Sequence, residues 1–367
     1  MTRDSKVSAA PAGGGLLRCV PWQAKYREGV IRLFSDVPYK AELWQWQFES
    51  NPFGLPFSPV VLVDAGDSVV GFNGVMAVRA TDRGEDIQVL WSCDFYLAER
   101  WRGQGLGSTI KHELHGKVPV IMAFGISDQA SDVLHHLGWV PDGSVRTYRM
   151  LRRRKGLRSW LLTGLQWMNR FMRFFSPGNV PASSSIYFDV RSTLPGKEQV
   201  DALWHRCCAD YGRVVQRDFA YLDWRYQQHP LGRYAFASAW RGNELAATLV
   251  VRFSRGTLRI VDYCGPARNL SLKRDLVGFA IRHWPHANQV VSVTSDSELG
   301  ASFLYNGFVK LRDRPRFYIY DSSSHTSSEP SPWFIMGGDS DGEFLQAASD
   351  FCVTEALPGL RVSEPFL

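Results

Sequence analysis

RWRGQGLGS, residues 100–108, sets three glycines in five positions directly after Arg102. The apolar stretch VLWSCDFYLA (89–98) runs into it and STIKHEL (108–114) leaves it, so the glycines stand between a strand pattern and a helix pattern. One glycine would be enough for a turn. Several let the backbone curl until its N–H groups converge, with no Cβ to block an approaching group. A helix start adds free donors and the positive end of a dipole, which suits an anion. Arg102 can contribute a charge-assisted bond to a phosphate oxygen, and Thr109 or Ser108 a hydroxyl. Two common phosphate loops do not fit. GxxxxGK[ST] needs a lysine that is missing here, and GxGxxG has a different period from Gly103, Gly105 and Gly107.

Composition sets the frame around this loop. A chain of 367 residues, 45% hydrophobic and 21% charged, has material for two globular domains. Its net charge of +6 favours anionic partners without choosing among phosphorylated cofactors, nucleic acid and acidic lipid. The six cysteines, at 19, 93, 207, 208, 264 and 352, form no CxxC pair and no Cys/His spacing suited to zinc, so no metal site is expected. Scattered thiols and an N-terminus without a continuous apolar core point to a cytoplasmic protein. No window approaches the ~18 apolar residues of a transmembrane helix.

The chain also repeats itself. WQFESNPFG (46–54) and WRYQQHPLG (224–232) share Trp46/Trp224, Phe48/Tyr226, Pro52/Pro230 and Gly54/Gly232. Each is followed by a strand, a polar turn and a strand. VLHHLGWV (133–140) and SFLYNGFV (302–309) both read as a helix end closed by glycine, then an aromatic-led strand. Three matches in one order predict two copies of one α/β (α+β) fold, each a mixed central sheet flanked by helices. The expected division is a flexible arm (1–15), a first domain (16–150), a basic aromatic linker (151–195), a second domain (196–322) and a C-terminal loop and tail (323–367).

Arg102-x-x-Gly105-x-Gly107 resembles the R/Q-x-x-G-x-G/A loop of the GCN5-related N-acetyltransferase superfamily. The strand CDFYLAERW before it and LGWV after the next helix sit where that superfamily has them. The resemblance covers residues 20–150, and 197–321 in architecture alone. It implies two such acyltransferase domains, the second degenerate. It further implies that Gly103, Gln104, Gly105, Leu106, Gly107 and Ser108, with Arg102, bind the pyrophosphate of acetyl-CoA, and that Tyr96 and Leu97 on a splayed strand meet the pantetheine arm. The second copy has YCGPARNLSLKRDL in place of the loop, with Pro266 and Asn269 where converging glycines are needed.

The implied reaction is acetyl transfer to a primary amine, on a small molecule or an amino sugar. Asp94, a carboxylate in an otherwise apolar strand, is the candidate general base; a hydrogen-bonded structural Asp is the other reading of the same residue. The superfamily's usual acid, a Tyr four residues before the glycine that ends the last helix, is replaced by Leu134. His135 and His136 lie beside it, and on a helix at most one of them points inward. The stretch 151–178 interleaves arginines with aromatics; it packs as a linker helix or makes peripheral contact with a membrane surface. Nucleic acid is not an expected partner, and no spacing sets an oligomeric state. Two other functions stay open: a non-catalytic acyl-CoA-binding or membrane-surface scaffold, and aminoacyl transfer from charged tRNA.

Overall fold

The structure, a computed structural model, describes residues 17–152 and 186–355 except 38, 55–58, 116 and 323–330, together with residue 164. The arm at 1–15 and nearly all of 151–178 fall outside the described residues. No helix among the described residues is long and apolar enough to cross a membrane.

Along the first part of the chain run β1 (Arg18–Pro21), α1 (Arg27–Leu33), α2 (Lys40–Trp44), β2 (Val60–Val63), β3 (Val69–Asp82), β4 (Glu85–Leu97), α3 (Leu106–His112), β5 (Val120–Phe124), α4 (Asp128–His136) and β6 (Val140–Pro141). Then come β7 (Arg146–Leu151), β8 (Ile186–Arg191), α5 (Lys197–Cys207), β9 (Arg213–Val215), α6 (Phe219–Leu222), β10 (Ala235–Arg241), β11 (Glu244–Ser254) and β12 (Thr257–Cys264). The chain closes with α7 (Leu270–His283), β13 (Gln289–Thr294), α8 (Ser297–Tyr305), β14 (Val309–Lys310), β15 (Phe317–Asp321), β16 (Trp333–Phe334) and α9 (Asp341–Glu355).

Two compact units result. Of the described residues, the first holds those up to Ala77 with Gln88–Pro141 and 318–322; the second holds Val78–Ile87, those within Asp142–Phe317 and those from 331 on. In the first, the strand order is β1-β2-β3-β4-β5-β15-β6. The run VVLV of β2 is wholly buried, as a strand covered on both faces must be. Phe72 of β3 packs with Tyr26, Val30, Phe34 and Trp44 of the α1–α2 region. Its neighbour Gly71 points the other way by the strand period, and a Cβ there would lie 3.0 Å from Ile110 of α3. Helices therefore cover both faces. β4 and β5 are parallel, with α3 as the crossover such a pair requires.

The second unit has the order β14-β7-β13-β12-β11-β10-β8. Neighbours are antiparallel from β8 to β12, β12 and β13 are parallel, and α7 provides their crossover. The hairpin tip assigned to this unit pairs Ala80–Asp82 antiparallel with β9, and β9 pairs parallel with β16. WFIMGG thus supplies a short strand.

Two features stand out from the expected order. β15, late in the chain, lies between β5 and β6, and β7, early in the chain, lies between β13 and β14. Along each of these orders one strand comes from the other half of the sequence. The matched Trp motifs also share a local shape: α2 widens into a π-helical turn at Gln45–Glu49, and α6 does the same at Asp223–Gln227. Trp46 and Trp224, inside those turns, are buried.

Candidate functional site

The first unit brings strand end, glycine loop and helix start together. The register of β4 with β5 runs from Val89↔Val120 to Trp91↔Met122, while β4 continues to Leu97. Beyond Trp91 the two strands part, which frees backbone groups on their facing edges. At this divergence Asp94 adopts φ 45°, a left-handed conformation costly for a residue with a Cβ.

The Asp94 carboxylate is buried, and Lys40 Nζ, at the start of α2 and equally buried, donates to its Oδ2. Lys40 also donates to Gln47 Oε1 at 3.1 Å, and Gln47 Nε2 lies 3.4 Å from Cys93 Sγ. The rings of Phe34 and Phe48 stand 5.1 and 5.4 Å from the ammonium. Two charges in such surroundings persist only as a pair. Sequence reasoning had singled out Asp94 and missed Lys40, whose only local signal is a lone lysine opening an apolar helix.

Past the strand end, Arg102 folds back. Its Nε donates to Leu97 O at 2.8 Å and its guanidinium lies 5.1 Å from the Tyr96 ring, which itself contacts Phe34 at 5.2 Å. Gln104 Nε2 donates to Arg100 O at 3.1 Å. Gly103 and Gly105 have φ of 75° and 76°, and a Cβ on either would meet nothing within 4 Å. Their amides and that of Gln104 donate to no acceptor among the described residues, whereas Ser108 N already bonds Gly105 O at 3.1 Å. Gly107 has a different task. A Cβ there would sit 3.2 Å from Phe95 Cζ, so its absence lets α3 lie close on β4. The loop is thus an open cradle of unused donors beside a guanidinium, a good match for a diphosphate.

Deeper in the unit, Lys111 Nζ donates to Ser92 Oγ at 2.5 Å, and Asn73 Nδ2 donates to the same oxygen at 3.1 Å. This network ties α3 to β4 where the strands begin to part. On α4 the residues near the missing tyrosine are committed elsewhere. Leu134 is fully buried, His135 Nε2 bonds Tyr318 Oη at 2.9 Å, and His136 Nδ1 bonds Asp132 O at 2.7 Å. Ser131 Oγ also meets Tyr318 Oη, at 2.7 Å. Val133 faces Gly107 of α3, so Ser131 and His135 lie on the opposite flank of α4, and the contacts anchor β15. His115 stacks on Tyr320 at 3.7 Å and accepts from Trp139 Nε1 at 3.0 Å. Burial, and then the nearby His112 and Lys111, push its pKa down to about 4. Among the described residues no cluster of His, Cys, Asp and Glu is suited to a metal ion.

Mixed sheets flanked by helices, with β4 parting from β5 above a glycine loop, give this chain the fold of the GCN5-related N-acetyltransferases. One solved structure similar to it is a GCN5-related N-acetyltransferase from Anabaena variabilis ATCC 29413, at TM-score 0.58 and 11% identity, over 83% of this chain and 73% of that one. A conserved protein of unknown function from Enterococcus faecalis V583, termed a probable N-acyltransferase, matches at TM-score 0.58 and 11% identity over 83% and 72%. A GCN5-related N-acetyltransferase from Kribbella flavida matches at 0.53 and 12% over 84% and 72%. No family model and no curated protein sequence matches the chain.

Proposed function

We propose that this chain is an acyltransferase that moves an acetyl group from acetyl-CoA to a primary amine on a small molecule or amino sugar, and that the first unit carries the site. The observation that bears this reading is the cradle at Gly103–Gly105, open, rich in unused amides, and placed at the end of a strand that has left its neighbour. Acetyl-CoA supplies a thioester whose carbonyl carbon an amine attacks, the C–S bond breaking as the C–N bond forms.

In this reading the amides of Gly103, Gln104, Gly105, Leu106 and Gly107, with Arg102 and Ser108, hold the diphosphate. The edge of β4 at Tyr96 and Leu97, past its pairing with β5, meets the pantetheine arm, and Arg102 leaves Leu97 O as it turns to the diphosphate. Asp94 takes the proton released by the amine, and Lys40 fixes the carboxylate that receives it. The leaving group is a thiol, far more acidic than an alcohol or an amine, so it departs as thiolate with little help from an acid. That makes Leu134 tolerable where a tyrosine would otherwise stand. The second unit, with Pro266 and Asn269 in place of the glycines, is read as a degenerate copy that takes no cofactor.

The test is titration calorimetry with acetyl-CoA on the parent chain and on Gly105→Val. The parent should bind in the micromolar range. The variant, whose φ of 76° a β-branched residue resists, should lose at least tenfold in affinity. A folded parent that binds no acetyl-CoA would sink the acyltransferase reading.

A further inference from the structure

The divergence seen between β4 and β5 recurs in the second unit. The parallel register of β12 and β13 runs from Thr257↔Gln289 to Ile260↔Ser292, while β12 goes on to Cys264 and β13 to Thr294. Here the cleft is filled by the chain itself. Met336 bridges to Thr294, the last residue of β13. Ser295 N donates to Ile335 O at 2.9 Å, and Ile335 N donates back to Ser295 Oγ at 2.8 Å. A Cβ on Gly337 would lie 3.5 Å from Val293 Cβ, and one on Gly338 would lie 2.9 Å from Val261 O. Two consecutive residues therefore touch both diverging strands, and the second has room for glycine alone.

The C-terminal end of this segment is held by buried charge. Arg225, in the second π-helical turn, donates from Nε and Nη2 to Gly338 O at 3.0 and 2.7 Å. Arg217 Nη2 donates to Asp339 Oδ2 at 2.6 Å, while its Nε holds Asp262 of β12 at 3.3 Å. Asp262 in IVDYC stands where Asp94 stands in SCDFY, and Arg217, like Lys40, precedes a repeated Trp motif. The place of the diphosphate is filled too. Glu298 accepts from Asn269 N at 2.9 Å and lies 3.3 Å from Lys273 Nζ, so a carboxylate already sits at the start of α7.

We propose that Ile335–Asp339 is a built-in ligand of the second unit, a peptide seated in the strand cleft whose counterpart in the first unit takes the arm of acyl-CoA. A pantetheine arm is itself a chain of amides, so a peptide offers a diverging strand pair the same alternation of donors and acceptors. The likeness to a cofactor arm rests on the reading given above; the seating of the peptide does not. Closed in this way, the second unit leaves the chain with one acyl-CoA site.

A protease recognition sequence introduced at 322–328 lets the purified chain be cut once with both pieces present. The C-terminal piece should stay bound through gel filtration. In the uncut chain the amides of Ile335 and Met336 should exchange with deuterium on the order of 10³-fold more slowly than in free peptide. Labelled peptide spanning 331–355 should exchange into the cut complex, and the same peptide carrying Gly338→Trp should not. Loss of the piece on gel filtration, fast exchange at both amides, or entry of the Gly338→Trp peptide overturns the proposal. Acetyl-CoA plays no part in these steps. Titrated separately, it should bind to one equivalent; two equivalents would show the second cleft open, whereas no binding would remove the acyl-CoA reading and leave the peptide in its cleft.

Discussion

Asp94 joins three properties that seldom meet in one residue: a left-handed φ of 45°, deep burial and a bond to a buried ammonium. A strained, charged position inside a strand costs about 1–3 kcal/mol for its backbone alone, and breaking a buried ion pair costs about 3–5 kcal/mol. Asp94→Asn separates two roles. As the proton acceptor, Asp94 should lose about 10²-fold or more in kcat on removal, with KM for acetyl-CoA little changed. A residue that merely ties α2 to β4 would instead lower the melting temperature and spare kcat, so measuring both on one preparation decides the matter. His229 makes a cleaner prediction about pH. Its buried Nδ1 accepts from Leu231 N at 3.2 Å and Gly232 N at 2.5 Å, which only the unprotonated nitrogen can do. Burial, and then Arg225 and Arg252, push its pKa down from 6.5 to about 3. The unfolded chain therefore binds the proton first, and stability falls as pH drops from 6.5 to about 3. The loss is on the order of a few kcal/mol over that window, to be read from urea midpoints of the parent and of His229→Gln.

Among elements, legibility in the sequence followed the range of the interactions. The glycine loop could be read because φ near 75° and an open approach are demands that a single residue type meets locally. The Trp motifs could be read because a buried Trp, an aromatic two places on and a closing Pro and Gly repeat in both halves, and both prove to carry the same π-helical turn. The partners of those elements were hidden. Nothing near Asp94 announces Lys40, which lies fifty-four residues earlier. WFIMGG read as an extra strand, and part of it is one, but its seat between β12 and β13 depends on Arg217 and Arg225 more than a hundred residues away. Burial pattern and turn chemistry are properties of short windows; the choice of a strand's neighbour is not.

At the scale of the whole molecule the traded strands govern what can stand alone. Residues 17–141 include every other strand of the order β1-β2-β3-β4-β5-β15-β6 and lack β15, whose place between β5 and β6 would be bare. Tyr318 and Tyr320, which hold α4 and His115, would be lost with it. Produced alone, that stretch should show no cooperative thermal transition. Appending 316–326 through a short flexible linker should restore one, and calorimetry on the two proteins checks it. A sharp transition in the shorter protein would show that the strand adds little.

The same trade imposes a timetable on synthesis. β6 leaves the ribosome early, but the strand that must slip in beside it follows roughly 180 residues later, about 10–40 s at ordinary elongation rates. Through that interval the nascent first half carries an open β5 edge and an unfilled slot, the kind of surface on which a neighbouring chain on the same message can pair. β7 emerges before every other strand of the sheet that receives it, so it must wait for its hosts to be made. For this chain, closing either half is a task that waits on the other.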